Sequence, residues 1–105
     1  MVQQKGKNRS VKQPAIYIMA NKRNGTIYTG VTSDLFKRVY EHKYADVDSF
    51  TKKHGCNYLV YYELIEEMLS AIAREKQLKG GSRKKKLALI EKVNPYWDDL
   101  YEKRM

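Results

Sequence analysis

Cysteine is almost missing from this 105-residue chain, where Cys56 stands alone. One thiol excludes an intramolecular disulfide framework and any metal site built from several cysteines, and it suits a reducing, cytoplasmic compartment. No apolar run approaches the length of a membrane-spanning helix, and Met1 to Gln13 has no apolar centre of the kind a secretory signal needs. The expectation is a soluble protein kept inside the cell, away from membranes. Acidic residues are also in the minority, 12 against 21 Lys and Arg, which leaves a formal net charge of +9 and a pI near 9.6. An excess of that size on so short a chain favours a polyanionic partner, nucleic acid above others.

With 42% hydrophobic residues, the chain can bury one core but not two, so all its chemistry is expected on one scaffold. Residues 1–13, polar and basic through Lys5, Lys7, Arg9 and Lys12, read as a flexible tail that can add phosphate contacts. Residues 14–105 read as one domain. Ala15-Ile-Tyr-Ile-Met-Ala and Thr26-Ile-Tyr-Thr-Gly-Val, separated by an Asn-Gly-containing connection, predict a β-hairpin. The first run is nearly continuous in apolar residues, as in a strand covered on both faces, so helices must pack on the sheet.

Thr32, Ser33 and Asp34 supply N-cap chemistry for a helix to about Lys43, with Leu35, Phe36, Val39 and Tyr40 as the inward stripe. Arg38 and His42, four apart, share one flank of it. Ala45 to Asn57 reads as polar and irregular, with a turn at His54-Gly55. Tyr58 to Ile65, rich in aromatic and β-branched residues, predicts a third strand. Glu66 and Glu67 open a helix that Gly80-Gly81 closes, with Met68, Leu69, Ile72, Ala73 and Leu78 as its apolar stripe. Glu75 falls along that stripe, within three or four positions of Ala71, Ile72 and Leu78, and a carboxylate there needs a partner. A last helix, capped by Ser82, carries Leu87, Leu89, Ile90 and Val93 and ends at Asn94-Pro95. Its first turn, Arg83-Lys84-Lys85-Lys86, puts positive charge at the unfavourable end of the helix dipole, which suits either a bound anion or a solvated basic face.

Cleaving a phosphodiester takes a nucleophile, neutralisation of transition-state charge and protonation of the leaving oxygen. Glu75 is a candidate ligand for a hard divalent cation whose other positions hold water and phosphate oxygen. An inert ion pair with Arg38, or a tyrosine hydroxyl partner, explains its position equally well. Arg38 can fork two N–H donors onto a phosphate, and His42 can move protons near neutral pH. Tyr17 and Tyr28 are core aromatics by default, since a phenol near pKa 10 is a poor base at neutral pH, although a nearby metal and arginine can lower it. Lys37, Lys43, Lys52, Lys53, Arg83, Lys84, Lys85 and Lys86 are the candidate phosphate contacts.

The order and spacing of these residues resemble the GIY-YIG nuclease family, in its small single-domain bacterial form, from Ala15 to about Leu100. Ala15-Ile16-Tyr17 and Tyr28-Thr29-Gly30 match the two name-giving motifs, Arg38-Val-Tyr-Glu-His42 the arginine helix, and Ala73 to Leu78 the segment of the metal-binding glutamate. Ala15 replaces a glycine and Thr29 an isoleucine; neither change removes a reactive group. The resemblance implies an α+β fold, a three-stranded antiparallel sheet flanked by helices. It also implies one Mg²⁺ or Mn²⁺ on Glu75, Tyr17 as general base or water-positioning group helped by His42, Tyr28 hydrogen-bonding in the site, and Arg38 on the scissile phosphate. Asn94 and Asp98 compete for the family's late asparagine.

The expected function is therefore a metal-dependent DNA endonuclease, in repair or recombination. With neither zinc-finger spacing nor an obvious helix-turn-helix, its recognition would rest on substrate shape, the basic surface or a protein partner. Two alternatives remain, a non-catalytic nucleic-acid-binding module of the same fold and a ribosome-associated RNA-binding protein. The first would be free to lose residues that are all present here, and the second leaves Glu75 without a purpose.

Overall fold

Six successive uncharged residues, Ala15–Ala20, form strand β1, and every one of them is buried. A computed structural model of the chain describes residues 13–44 and 50–104. A strand buried on both faces must lie at the centre of a sheet with layers on either side, and β1 does. It pairs antiparallel with β2 (Ile27–Thr32) on one edge and with β3 (Tyr58–Leu64) on the other, in the order β2-β1-β3. The β1–β2 turn is tied by the Asn21 side chain, whose Oδ1 accepts from Thr26 N at 2.9 Å. Asn24 takes a left-handed backbone, φ 58°, a conformation asparagine tolerates better than most residues.

Strand alternation sends side chains to two different helical layers. Ile16, Ile18 and Ala20 pack with Val60 against Ala71 and Leu78 of α3 (Met68–Gly80), Ile90 of α4 (Arg83–Val93) and Trp97. Ala15, Tyr17 and Met19 pack with Leu59 and Cys56 against Leu35 and Val39 of α1 (Leu35–Tyr44). The second layer is completed by Leu100 and Tyr101 of a short C-terminal helix, Leu100–Arg104. The architecture is thus the α+β arrangement expected, a three-stranded antiparallel sheet between helices.

Caps set the helix ends as read from the sequence. Asp34 Oδ1 accepts from Lys37 N at 3.2 Å and its carbonyl from Arg38 N at 3.0 Å, opening α1; Ser82 Oγ accepts from Lys85 N at 3.2 Å, opening α4. The stripes needed correction. Phe36 and Tyr40 are half exposed, because α1 buries only the Leu35–Val39 line. In α3, Met68, Leu69 and Ala73 face outward, Ala71 and Leu78 are buried, and Glu75 lies partly covered between them. The helix has rotated so that the carboxylate, and not Leu69, lies among the covered positions. Val93 is likewise exposed.

The segment expected to be irregular contains a short helix, α2 (Phe50–His54), ended by Gly55 at φ +68°. The C-terminal helix was not anticipated. The tail lies outside the described residues except for Gln13, which belongs to the fold: it bridges to Asp34, and its side chain donates to Ile65 O at 2.9 Å.

Candidate active site

The register of β1 against β2 builds the floor of the site, placing Tyr17 directly opposite Gly30 and Met19 opposite Tyr28. A Cβ at Gly30 would lie 2.5 Å from both Cζ and Oη of Tyr17. Glycine is thus required by close approach, since the Tyr17 ring lies across the space a side chain would fill. The ring is buried as a core residue, and only its oxygen has chemistry left to do. Tyr28, on the same face, has its ring centroid 6.3 Å from that of Tyr17.

Helix α1 brings Arg38 and His42 to this floor from successive turns of one flank. His42 Nε2 is 2.9 Å from Tyr17 Oη, and its ring closes a triangle with the two tyrosines at centroid distances of 5.6 and 5.7 Å. Arg38 is near enough to the same phenol to act on its charge, and it pairs with Glu41 at 3.1 Å. A guanidinium can only donate, so it stabilises negative charge at this oxygen, while the direction of the Tyr17–His42 bond is set by the His42 tautomer. Beside Arg38, Thr32, Ser33, Asp34 and Lys37 line a shallow surface groove at the start of α1.

Protonation states follow from burial and charge. Loss of solvent pushes the Tyr17 pKa up to about 12; the Arg38 hydrogen bond opposes that rise, while Tyr28 and Glu75 add to it. Burial, reinforced by the Arg38 charge, lowers His42 to about 4. At neutral pH the pair is therefore an un-ionised phenol beside a neutral imidazole.

Glu75 comes from α3 with its side chain only 12% exposed, and Lys79 Nζ sits 2.6 Å from its Oε2. Its charge bears on Tyr17, as noted. Lys79 also lies over the Tyr28 ring, 5.8 Å from the centroid. Sequence reading passed over Lys79, although its place one turn after Glu75 was the available signal. Tyr17, Tyr28, Arg38, His42 and Glu75 thus share one neighbourhood. Among the described residues no three His, Cys, Asp or Glu side chains gather into a cage for a metal ion. The donor set, one largely covered carboxylate beside hydroxyls, fits a hard cation that keeps water and takes phosphate oxygen for its remaining positions.

The basic residues fall into different classes. Lys37, Lys52, Lys53, Lys84 and Lys85 are exposed, and Lys86 is partly covered. Lys43 turns inward: its ammonium pairs with Asp99 and donates to Asn57 O at 2.9 Å. Arg83 reaches back to the β1–β2 turn, donating to Asn24 O at 3.0 Å and Gly25 O at 2.6 Å. Both therefore hold the fold together. Asn94 is buried at the end of α4 and its amide donates to Val60 O at 3.0 Å and Asp98 O at 2.9 Å, while Asp98 N donates back at 3.1 Å. It fastens the C-terminal segment to β3; the Asp98 side chain faces outward and pairs with Lys103.

Residues 13–88 match the GIY-YIG catalytic domain. The UPF0213 protein SSP2268 of Staphylococcus saprophyticus is 39% identical over 75 residues, 71% of this chain and 90% of its own length. A UPF0213 protein of Staphylococcus aureus is 37% identical over 68 residues, 65% of this chain and 83% of its own. The solution NMR structure of the UPF0213 protein BH0048 from Bacillus halodurans superposes with a TM-score of 0.51 at 29% identity, covering 81% of this chain and 90% of that one. With its two motif strands, arginine helix and glutamate helix in this arrangement, the chain belongs to the GIY-YIG family, a family of nuclease catalytic domains.

Proposed function

We propose that this protein is a divalent-metal-dependent endonuclease that hydrolyses phosphodiester bonds in DNA. The observation carrying that reading is the junction at Tyr17 Oη, where a neutral histidine 2.9 Å away and an arginine meet on one phenolic oxygen beside a covered carboxylate. Such a junction orients a water and stabilises negative charge within one cleft.

A phenol near pKa 12 has almost no phenolate at neutral pH, so Tyr17 serves as a relay. As water attacks phosphorus and the bond from phosphorus to the leaving oxygen breaks, the water's proton passes to Tyr17 Oη while the proton already there passes to His42 Nε2, and a solvent water protonates the departing oxygen. His42 starts neutral, and the negative charge gathering on the phosphate favours the imidazolium that forms. Arg38, shared in the free protein between Tyr17 and Glu41, donates to the phosphate oxygens as charge builds there. Tyr28 holds substrate or water by hydrogen bonding. Glu75 would hold the divalent cation, which supplies Lewis-acid neutralisation of phosphate charge when bound. The net charge of +9 and the exposed lysines favour a polyanion along the surface. Repair or recombination remains the setting we propose, with DNA structure, a protein partner or both directing the cut.

The test is a cleavage assay over duplex, branched, damaged and single-stranded DNA with and without Mg²⁺. Wild type is expected to cut only with the cation. Glu75→Ala should fall to background while still binding DNA, and Arg38→Ala should lose about 10²- to 10³-fold. Undiminished cutting by Glu75→Ala would falsify the assignment; salt-sensitive binding without any cutting would mark a binding module instead.

A further inference from the structure

Lys79 is a charged side chain beside Glu75 that the proposed reaction does not use. Its Nζ lies 2.6 Å from Glu75 Oε2. A Glu–Lys pair one turn apart on an exposed helix is weak, because water screens both ends. Here the carboxylate is only 12% exposed while the lysine is 51% exposed, so the ammonium sits on a carboxylate with little other open surface. The ammonium also overlies the Tyr28 ring, which gives it a second foothold in the same cleft.

We infer that Lys79 is a resident counter-ion for Glu75 which a divalent cation must displace, so that the free protein binds the cation weakly until a phosphodiester enters. The inference rests on the metal role proposed for Glu75 and adds its regulation. Without substrate, Lys79 is already paired with Glu75, and Glu41 is already taken up by Arg38. A divalent ion entering alone meets positive charge. A phosphodiester supplies the missing negative charge and a place for the displaced ammonium beside the Tyr28 ring, so that cation and substrate bind cooperatively. Lys79 is thus a positioning residue that acts through Glu75.

The experiment measures Mn²⁺ binding to the full chain without nucleic acid, from the loss of the free-ion electron paramagnetic resonance signal. Wild type, Lys79→Met, Lys79→Arg and Glu75→Gln are compared at matched thermal stability. Lys79→Met is expected to bind Mn²⁺ about 3- to 10-fold more tightly, and Lys79→Arg to stay near wild type. An unchanged or weaker affinity in Lys79→Met, with binding still lost in Glu75→Gln, overturns the counter-ion role alone. Binding unaffected by Glu75→Gln overturns the metal site itself, and the counter-ion role with it.

Discussion

The two faces of β1 are built from one six-residue run and do different work. Ile16, Ile18 and Ala20 enter a layer closed by Ile90 and Trp97, to which these three side chains contribute packing alone. Ala15, Tyr17 and Met19 enter the layer of α1, equally buried, yet Tyr17 ends there in an oxygen shared by His42 and Arg38. A residue can thus be core by its ring and reactive by its tip. The comparison teaches that burial does not separate structure from function in this protein: Tyr17 and Tyr61 are both buried rings with hydrogen-bonded hydroxyls, and only Tyr17 meets His42 and the charge of Glu75.

The largest effect should come from the face of Ile16, Ile18 and Ala20. Ile90→Ala removes a fully buried side chain and should cost about 2–5 kcal/mol of stability in denaturant unfolding. Activity per folded molecule should persist. A variant that kept its stability but lost cutting would erase the distinction between the faces.

Gly30→Ala tests the opposite face through shape alone. Its methyl would fall 2.5 Å from Tyr17 Cζ and Oη, so the ring must move, at a cost of about 1–3 kcal/mol. Cleavage should fall more than stability predicts, because the phenol is driven from His42. Equal activity in the folded variant would show that the Tyr17 position is not critical.

A smaller and more discriminating effect concerns protons. His42 and His54 are the two histidines, so an NMR titration resolves them readily. His42 should titrate near 4, against an ordinary 6.5, because burial and Arg38 disfavour its charged form. The unfolded chain then binds the extra proton first. This group's effect is therefore nil above pH 6.5, and stability falls as pH drops from 6.5 toward 4. A His42 titration at 6.5 would contradict the burial and the Arg38 charge assigned to its surroundings.

Much of this was legible because hairpin chemistry, caps and two short motifs are local. Ala15 to Gly30 announced two strands, Asp34 and Ser82 announced helix starts, and the spacing of Arg38 and His42 announced a shared flank. Helix rotation was not legible where apolar residues surround the axis. Leu69 read as core and is 80% exposed, while Glu75 took a covered position that hydrophobicity alone assigns to a leucine. Long-range polar ties were also hidden, since the Lys43–Asp99 pair and the Asn94 link to Val60 join segments far apart in sequence. Nothing near Lys43 distinguished a lysine that holds the fold from one that meets phosphate.

The most direct measurement is single-turnover DNA cleavage by Tyr17→Phe with saturating Mg²⁺, alongside its thermal unfolding. The phenylalanine keeps the buried ring over Gly30 and deletes only the oxygen between His42 and Arg38. The account predicts a loss of at least about 10²-fold in rate with the unfolding temperature little changed. Cleavage at the wild-type rate would contradict it, because the apolar ring alone would then suffice.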